Sequence, residues 1–150
     1  MKTQPSAPFT FLKKPTKTPA MLKTNPSLFF VDGEAPGAPG LKGSHCKICK
    51  QTVLLQIAAC PRCGNRELES VCIGQRATLG ESSEVFHSAD GFDAPYFIGQ
   101  IETEQGPRTF APIAAAPGTK LEVGMALCFK LFKRPDGRVG FAYALAEGLA

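Results

Sequence analysis

Residues 45–63 read His45-Cys46-Lys47-Ile48-Cys49-Lys50-Gln51-Thr52-Val53-Leu54-Leu55-Gln56-Ile57-Ala58-Ala59-Cys60-Pro61-Arg62-Cys63. Two Cys-x-x-Cys pairs, Cys46/Cys49 and Cys60/Cys63, stand ten residues apart. A Cys-x-x-Cys turn brings both sulfurs to one side, so each pair supplies two corners of a tetrahedron. Ten residues are enough for the chain to leave and return as a short hairpin. Zinc takes four such thiolates at about 2.3 Å, and a site filled this way has no position left for a substrate. The stretch therefore predicts a structural zinc ribbon with one ion per chain, bound by Cys46, Cys49, Cys60 and Cys63. The competing readings are two disulfides or four free buried thiols. His45, next to Cys46, is an alternative ligand, but the regular pairing favours the four sulfurs.

The residues around the sulfurs fit the same reading. Pro61 fixes its own φ and stiffens the second turn. Gly64 can take positive φ, which turns backbone N–H groups toward the sulfurs. The first turn has Lys50 where that glycine would stand, so Lys50 is expected to carry a small backbone strain. Lys42, Lys47, Lys50, Arg62 and Arg66 lie close by, and no acid falls between Glu34 and Glu67. These cations can offset the −2 formal charge of four thiolates on one dication; a solvated basic face is the alternative.

The chain has 150 residues and a net charge of +4, unevenly distributed. Residues 1–31 hold five lysines and no acid, residues 32–66 five cations and two acids, and residues 67–150 seven cations and eleven acids. Basicity thus belongs to the N-terminal part, whereas a nucleic-acid binder needs its positive charge on the binding face. Met1-Lys2-Thr3 opens like a signal peptide, but Pro5, Pro8 and Lys13-Lys14 interrupt any apolar run. No stretch reaches the length of a transmembrane helix. The expectation is a cytoplasmic protein with no membrane partner, in which clustered cysteines favour metal over disulfide. Cys72 and Cys128 lie in apolar runs and read as small buried core residues.

Residues 1–27 are rich in Lys, Thr and Pro, which blocks helix and sheet. The apolar residues among them, including Phe9, Phe11, Leu12, Met21 and Leu22, suit either a disordered tail or an arm extended along another surface. Residues 27–31 form an apolar anchor, followed by the turn-rich linker 33–40. One ribbon strand is expected within 52–57. From Glu67 onward the pattern predicts strands at 68–73, 77–86 (bent or bulged at Gly80), 95–102, 108–114, 125–133 and 139–145. The loop 88–93 and the turn Arg134-Pro135-Asp136-Gly137 fall between them. Such short, regularly spaced strands predict a five-stranded OB-fold barrel, with another small β-barrel as the alternative. The expected organisation is mostly β: a Pro-rich basic arm and linker (1–40), a four-cysteine zinc ribbon (41–66) and an OB-fold-like barrel (67–150).

This order resembles the zinc-ribbon/OB-fold acyl-CoA-associated proteins, long catalogued as a domain of unknown function. Residues 43–49 resemble the family's first knuckle, and 60–65 its second, with Glu67-Leu68-Glu69 following. Residues 74–79 resemble its entry to the barrel. Ala94-Pro95-Tyr96, Glu102, Gly106-Pro107-Arg108 and Val123-Gly124-Met125 resemble later family marks. The likeness spans about residues 40–145, and after the ribbon it rests on order and spacing. There are departures. Residues 54–59 replace a Phe-Pro-Pro-Arg stretch, and Lys50 replaces a glycine. Gln75-Arg76 replaces another glycine, and a basic arm stands in place of an N-terminal helical hairpin.

The resemblance implies a non-catalytic subunit of a thiolase-type or acyltransferase complex. Such a subunit docks on a thiolase-fold catalytic subunit and helps shape or bind its acyl-CoA site, with aromatic (toluene, benzylsuccinate) degradation as one setting. CoA carries phosphates, so Arg76, Lys130, Lys133, Arg134 and Arg138 are candidate CoA contacts, with Lys120 also among the barrel's cations; a solvated face is the bland alternative. No catalytic residue is expected. Thiolase chemistry needs a cysteine with histidine help, and the two histidines are His45, beside a ligand, and His87, in an expected loop. A zinc-ribbon/OB nucleic-acid module is the alternative function, favoured by the arm and opposed by the acidic barrel. A rubredoxin-like iron site, suggested by Cys60-Pro61-Arg62-Cys63-Gly64, does not fit the first knuckle or the barrel.

Overall fold

The computed structural model describes residues 10–11, 28–31, 33–87, 94–133 and 137–146. Among these residues the regular structure is all strand: β1 (Thr10–Phe11), β2 (Phe29–Phe30), β3 (Gly40–Cys46), β4 (Thr52–Leu54), β5 (Leu68–Ile73), β6 (Arg76–Val85), β7 (Tyr96–Thr103), β8 (Arg108–Ala114), β9 (Ala126–Lys133) and β10 (Val139–Leu145). No helix among them is long and apolar enough to cross a membrane. The expected loop 88–93 and Arg134, Pro135 and Asp136 lie outside the described residues. So do Phe9, Leu12, Met21 and Leu22.

Five strands close a barrel in the order β6-β7-β8-β10-β9, with β9 returning to pair with β6. Every neighbouring pair is antiparallel except β8 and β10, which run parallel at Ile113 and Ala114. That is the Greek-key closure of an OB-fold, as expected. The register of β6 on β7 shifts between Leu79 and Glu81, so of the bend or bulge expected at Gly80 the structure has the bulge. Alternation along the strands turns Leu79, Ile101, Ile113, Leu127 and Tyr143 inward, each at most 1% exposed. β1 adds to the edge of β9, with Thr10 opposite Lys133 and Phe11 opposite Phe132.

The other sheet is built on β3, which pairs with β2, β4 and β5. Residues 68–73, read as the barrel's first strand, are a strand that pairs along its whole length with β3, from Leu41 opposite Ile73 to Cys46 opposite Leu68. The ribbon strand expected within 52–57 stops at Leu54, because Leu55 takes a φ of 73°. The two sheets share one core: Phe29, Val31, Leu41 and Ile73 pack in a single cluster with Leu79, Ile101, Leu127, Phe129 and Tyr143. The Phe29 ring lies 6.5 Å from Phe129 and 5.8 Å from Phe141, which stack on each other at 5.5 Å. The apolar anchor therefore belongs to this chain's own core, where a buried Phe contributes about 1.5–3 kcal/mol.

Cys72 and Cys128 are half-buried rather than buried. The reason is alternation. Leu127 and Phe129 take the inward positions of β9, so Cys128 faces out, opposite Arg76. Ile73 is fully buried, and Cys72 faces the other way, opposite Lys42.

Candidate metal centre

The two knuckles are built alike. In the first, the Cys46 N–H donates to the Gln51 carbonyl at 2.9 Å, and the Lys50 N–H returns to the Cys46 carbonyl at 3.0 Å. In the second, the Cys60 N–H donates to the Asn65 carbonyl at 2.8 Å, and the Gly64 N–H returns to the Cys60 carbonyl at 2.9 Å. Lys50 and Gly64 occupy the same place in this pattern, and both have positive φ, 60° and 75°. The lysine thus adopts the left-handed backbone that the glycine adopts freely, which is the strain read from its position.

Between the knuckles the excursion is tied back to β3. Ser44, 3% exposed, donates to the Leu55 carbonyl at 2.9 Å and accepts from the Ile57 N–H at 3.2 Å. The Leu55 N–H donates to the Lys42 carbonyl at 2.8 Å. These bonds return the chain so that Cys60 and Cys63 meet Cys46 and Cys49.

All four sulfurs lie within 4.8 Å of one another. Cys46 and Cys63, one from each knuckle, have their sulfurs 3.6 Å apart, and Cys49 and Cys60 likewise 3.5 Å apart. A tetrahedron of 2.3 Å metal–sulfur bonds has edges of about 3.8 Å, so the spacing fits an ion at the centre. All four cysteines are free, and these separations far exceed a disulfide bond of about 2.05 Å. The cluster can hold a metal ion with no open coordination position. His45 stays out of it: neighbouring strand residues face opposite ways, and its Nδ1 is 2.9 Å from Thr52 Oγ1.

The electrostatics suit a cation. The Cys49 backbone N–H, with smaller help from Asn65 and Ile48, lowers the Cys46 thiol to about 6 against the opposing effect of burial. The Cys63 and Arg62 N–H groups lower Cys60 in the same way. Cys63 also has a lowering contact, from the Asn65 N–H, but burial and the three neighbouring sulfurs push it up to about 11. Four thiolates this close repel one another, and a dication removes that repulsion. Asn65 is the residue that sequence reasoning missed. Its Nδ2 donates to the Glu67 carbonyl at 2.9 Å and lies 3.6 Å from Cys46 Sγ, while its Oδ1 accepts from the Glu67 N–H at 3.1 Å. Only its place two residues after a knuckle cysteine could have marked it. Lys47, Lys50, Arg62 and Arg66 are exposed around the knuckles, whereas the Lys42 ammonium sits 4.8 Å over the Phe30 ring.

Of the candidate CoA contacts, the four that lie among the described residues fall into two groups. Arg76, opposite Cys128, and Lys130, two residues further along β9, are exposed on one outer face. Lys133 and Arg138 are exposed where β9 and β10 meet at their hairpin. Five strand positions, roughly 16 Å, separate residue 133 from the Arg76–Cys128 pair. Lys120 is paired with Glu122 at 2.8 Å.

No protein-family model matches the chain. It is similar to the benzoylsuccinyl-CoA thiolase subunit BbsA of Thauera aromatica, 36% identical over 110 residues, which cover 71% of this chain and 74% of that protein. In structure it is similar to a chain of the Ltp2-ChsH2(DUF35) aldolase, with a TM-score of 0.59 and 19% identity over 71% of this chain and 84% of that one. The second likeness is one of fold.

Proposed function

Because this chain belongs to the family of the benzoylsuccinyl-CoA thiolase subunit BbsA, we propose that it is a non-catalytic, zinc-containing subunit of a thiolase-type acyl-CoA enzyme complex. It docks on a thiolase-fold catalytic subunit in the cytoplasm and helps shape or bind that subunit's acyl-CoA site. Aromatic degradation is the setting that the relative's substrate suggests. The observation that carries this reading is the 36% identity to a named thiolase subunit over three quarters of that subunit's length.

The placement of the reactive residues supports it. His45 is bound to Thr52 beside the metal cluster. It lies three strand positions from the Lys42–Cys72 pair, on the opposite face of β3. His87 is exposed just past β6. Neither arrangement offers the cysteine–histidine pairing that thiolysis uses. Zinc held by Cys46, Cys49, Cys60 and Cys63 is structural in this reading: it joins two knuckles whose shape depends on both. Arg76 and Lys130 on the outer face, or Lys133 and Arg138 at the adjoining ends of β9 and β10, are the groups offered to CoA phosphates, with Arg134 as a further candidate from the sequence.

The experiment is reconstitution. The thiolase-fold protein made alongside this chain is assayed for CoA-dependent cleavage of an acyl-CoA substrate, alone and with the chain added. Turnover is expected from the pair and not from this chain alone. Full activity of the partner by itself would overturn the reading.

A further inference from the structure

One aromatic side chain on the outside of the barrel is buried. Leu127, Phe129 and Leu131 of β9 pack in the main core, as do Val139, Phe141 and Tyr143 of β10. Alternation therefore turns Lys130, Phe132, Gly140 and Ala142 to the outer face. The pairing agrees, with Phe132 opposite Gly140 and Lys130 opposite Ala142. Lys130 is exposed, as an outer position should be. Phe132 is only 2% exposed, and Ala142 0%. The two form a cluster apart from the main core, and Ala114 is the partly buried apolar residue packed against it among the described residues. Alanines in a sheet do not cover a phenylalanine that stands on it. The burial requires a second layer over this face.

That layer belongs to this chain, since Phe132 and Ala142 are buried within a single copy. The stretches outside the described residues differ in what they can reach. Residues 147–150 follow Ala146, six positions from Gly140 and roughly 20 Å along the strand direction. Four residues span at most about 14 Å, short of Phe132. Residues 134–136 are held at both ends by the hairpin, and Ala142 lies five positions beyond Gly137. Residues 88–93 join β6 to β7. β7 is three places from β9 in the barrel, and β6 pairs with β9 at Arg76–Thr78, seven positions from Val85. The N-terminal segment has no such distance to cross, because β1 pairs with β9 at Phe132 itself, through Phe11. Nine residues precede β1, and sixteen follow it before Leu28.

Composition suits the same place. Pro5, Pro8, Pro15, Pro19 and Pro26 lack the N–H that would carry a ladder along β9, and the pairing of β1 is two residues long. Proline-rich chain instead packs in extended form on aromatic surfaces, and Phe132 with Ala142 and Ala114 offers such a surface. Phe9 and Leu12 flank β1 and supply apolar side chains to it. We propose that the N-terminal segment, residues 1–27, passes from its pairing at β1 over the outer face of β9 and β10 and covers Phe132 and Ala142. This inference stands apart from the subunit reading. The covered face is an internal contact of the chain, and Arg76 and Lys130 stay exposed beside it.

The test is NMR spectroscopy of the full-length, isotope-labelled chain. Nuclear Overhauser contacts from the Phe132 ring and the Ala142 methyl group are expected to residues within 1–9 or 12–27. Isotope-filtered spectra of a mixture of labelled and unlabelled chain separate contacts within a copy from contacts between copies. Contacts running only to residues 88–93, only between copies, or only within the sheet would each overturn the proposal. A second measurement is tryptic cleavage after Lys13, Lys17 and Lys23. Phe132→Ser should speed it by roughly tenfold, because cleavage follows the population of the opened segment. Phe110→Ser, at an exposed outer position of β8, should leave it unchanged. Thermal midpoint and metal content confirm that both variants are folded. Equal rates in the wild type and Phe132→Ser, or the same acceleration in Phe110→Ser, would overturn the proposal as well.

Discussion

The Tyr143 hydroxyl donates to the Gly74 carbonyl oxygen at 2.6 Å, at a point where no part of the tyrosine is exposed. Gly74 lies between β5, in the ribbon sheet, and β6, the first barrel strand. The last barrel strand thus holds the link between the two sheets. Gly74 has a φ of 71°, and a β-carbon there would stand 2.6 Å from the Tyr143 oxygen and 3.0 Å from Thr103 Cγ2. Tyr143→Phe should cost about 1–3 kcal/mol, because it leaves a buried carbonyl without its donor. Gly74→Ala should cost more, since strain and collision add. Urea unfolding of both variants measures the order; a Gly74→Ala chain as stable as wild type would contradict it.

The same tyrosine sets an alkaline limit. Burial, with the nearby Cys72 adding to it, pushes the phenol well above its ordinary value of 10.0. The folded protein therefore keeps a proton that the unfolded chain loses. Above about pH 10 the unfolded state binds fewer protons, so stability falls as pH rises further. Tyr143→Phe should be less stable at neutral pH but lose less between neutral pH and pH 11. Melting curves across that range check the sign, and parallel losses in the two proteins would refute it.

The knuckles should stand or fall together. One zinc per chain is expected by elemental analysis, and Cys60→Ser should lose it along with the ribbon's dispersion in NMR spectra. Acidification should release the metal, because protons compete with it for the sulfurs. Asn65→Ala should retain zinc less tightly in a chelator competition. Iron in place of zinc, or a Cys60→Ser chain with native spectra, would contradict the assignment.

Phe29 ties the N-terminal part to the barrel. Phe29→Ala should cost about 3–5 kcal/mol, the usual penalty for emptying a buried aromatic site. Phe86→Ala, at an exposed phenylalanine, should cost far less. Differential scanning calorimetry of the two proteins distinguishes them, and equal penalties would mean that the anchor is not part of the core.

What could be read from the sequence was local. The Cys-x-x-Cys spacing, the left-handed Lys50, the irregularity at Gly80 and the strand at 108–114 each depend on a few adjacent residues. What could not be read was pairing at a distance. Residues 68–73 carry strand character whichever sheet they join, and only the meeting with Leu41 and Gly43 on β3 places them in the ribbon sheet. Phe29 could be read as an apolar anchor but not assigned a site, because the aromatic pair that receives it, Phe129 and Phe141, lies a hundred residues further on. Asn65 and Ser44 carry no motif of their own; their roles arise when the two knuckles close. Cys72 and Cys128 were misread because an apolar run in a half-buried strand still has an outer face.

The most direct test of the account is native mass spectrometry of the tagged full-length chain isolated from the cells that make it. The expected result is a hetero-oligomer of the 16.0 kDa chain with a thiolase-fold subunit, carrying one zinc for each copy of the chain. The chain recovered alone, or only with a partner of another fold, would contradict it.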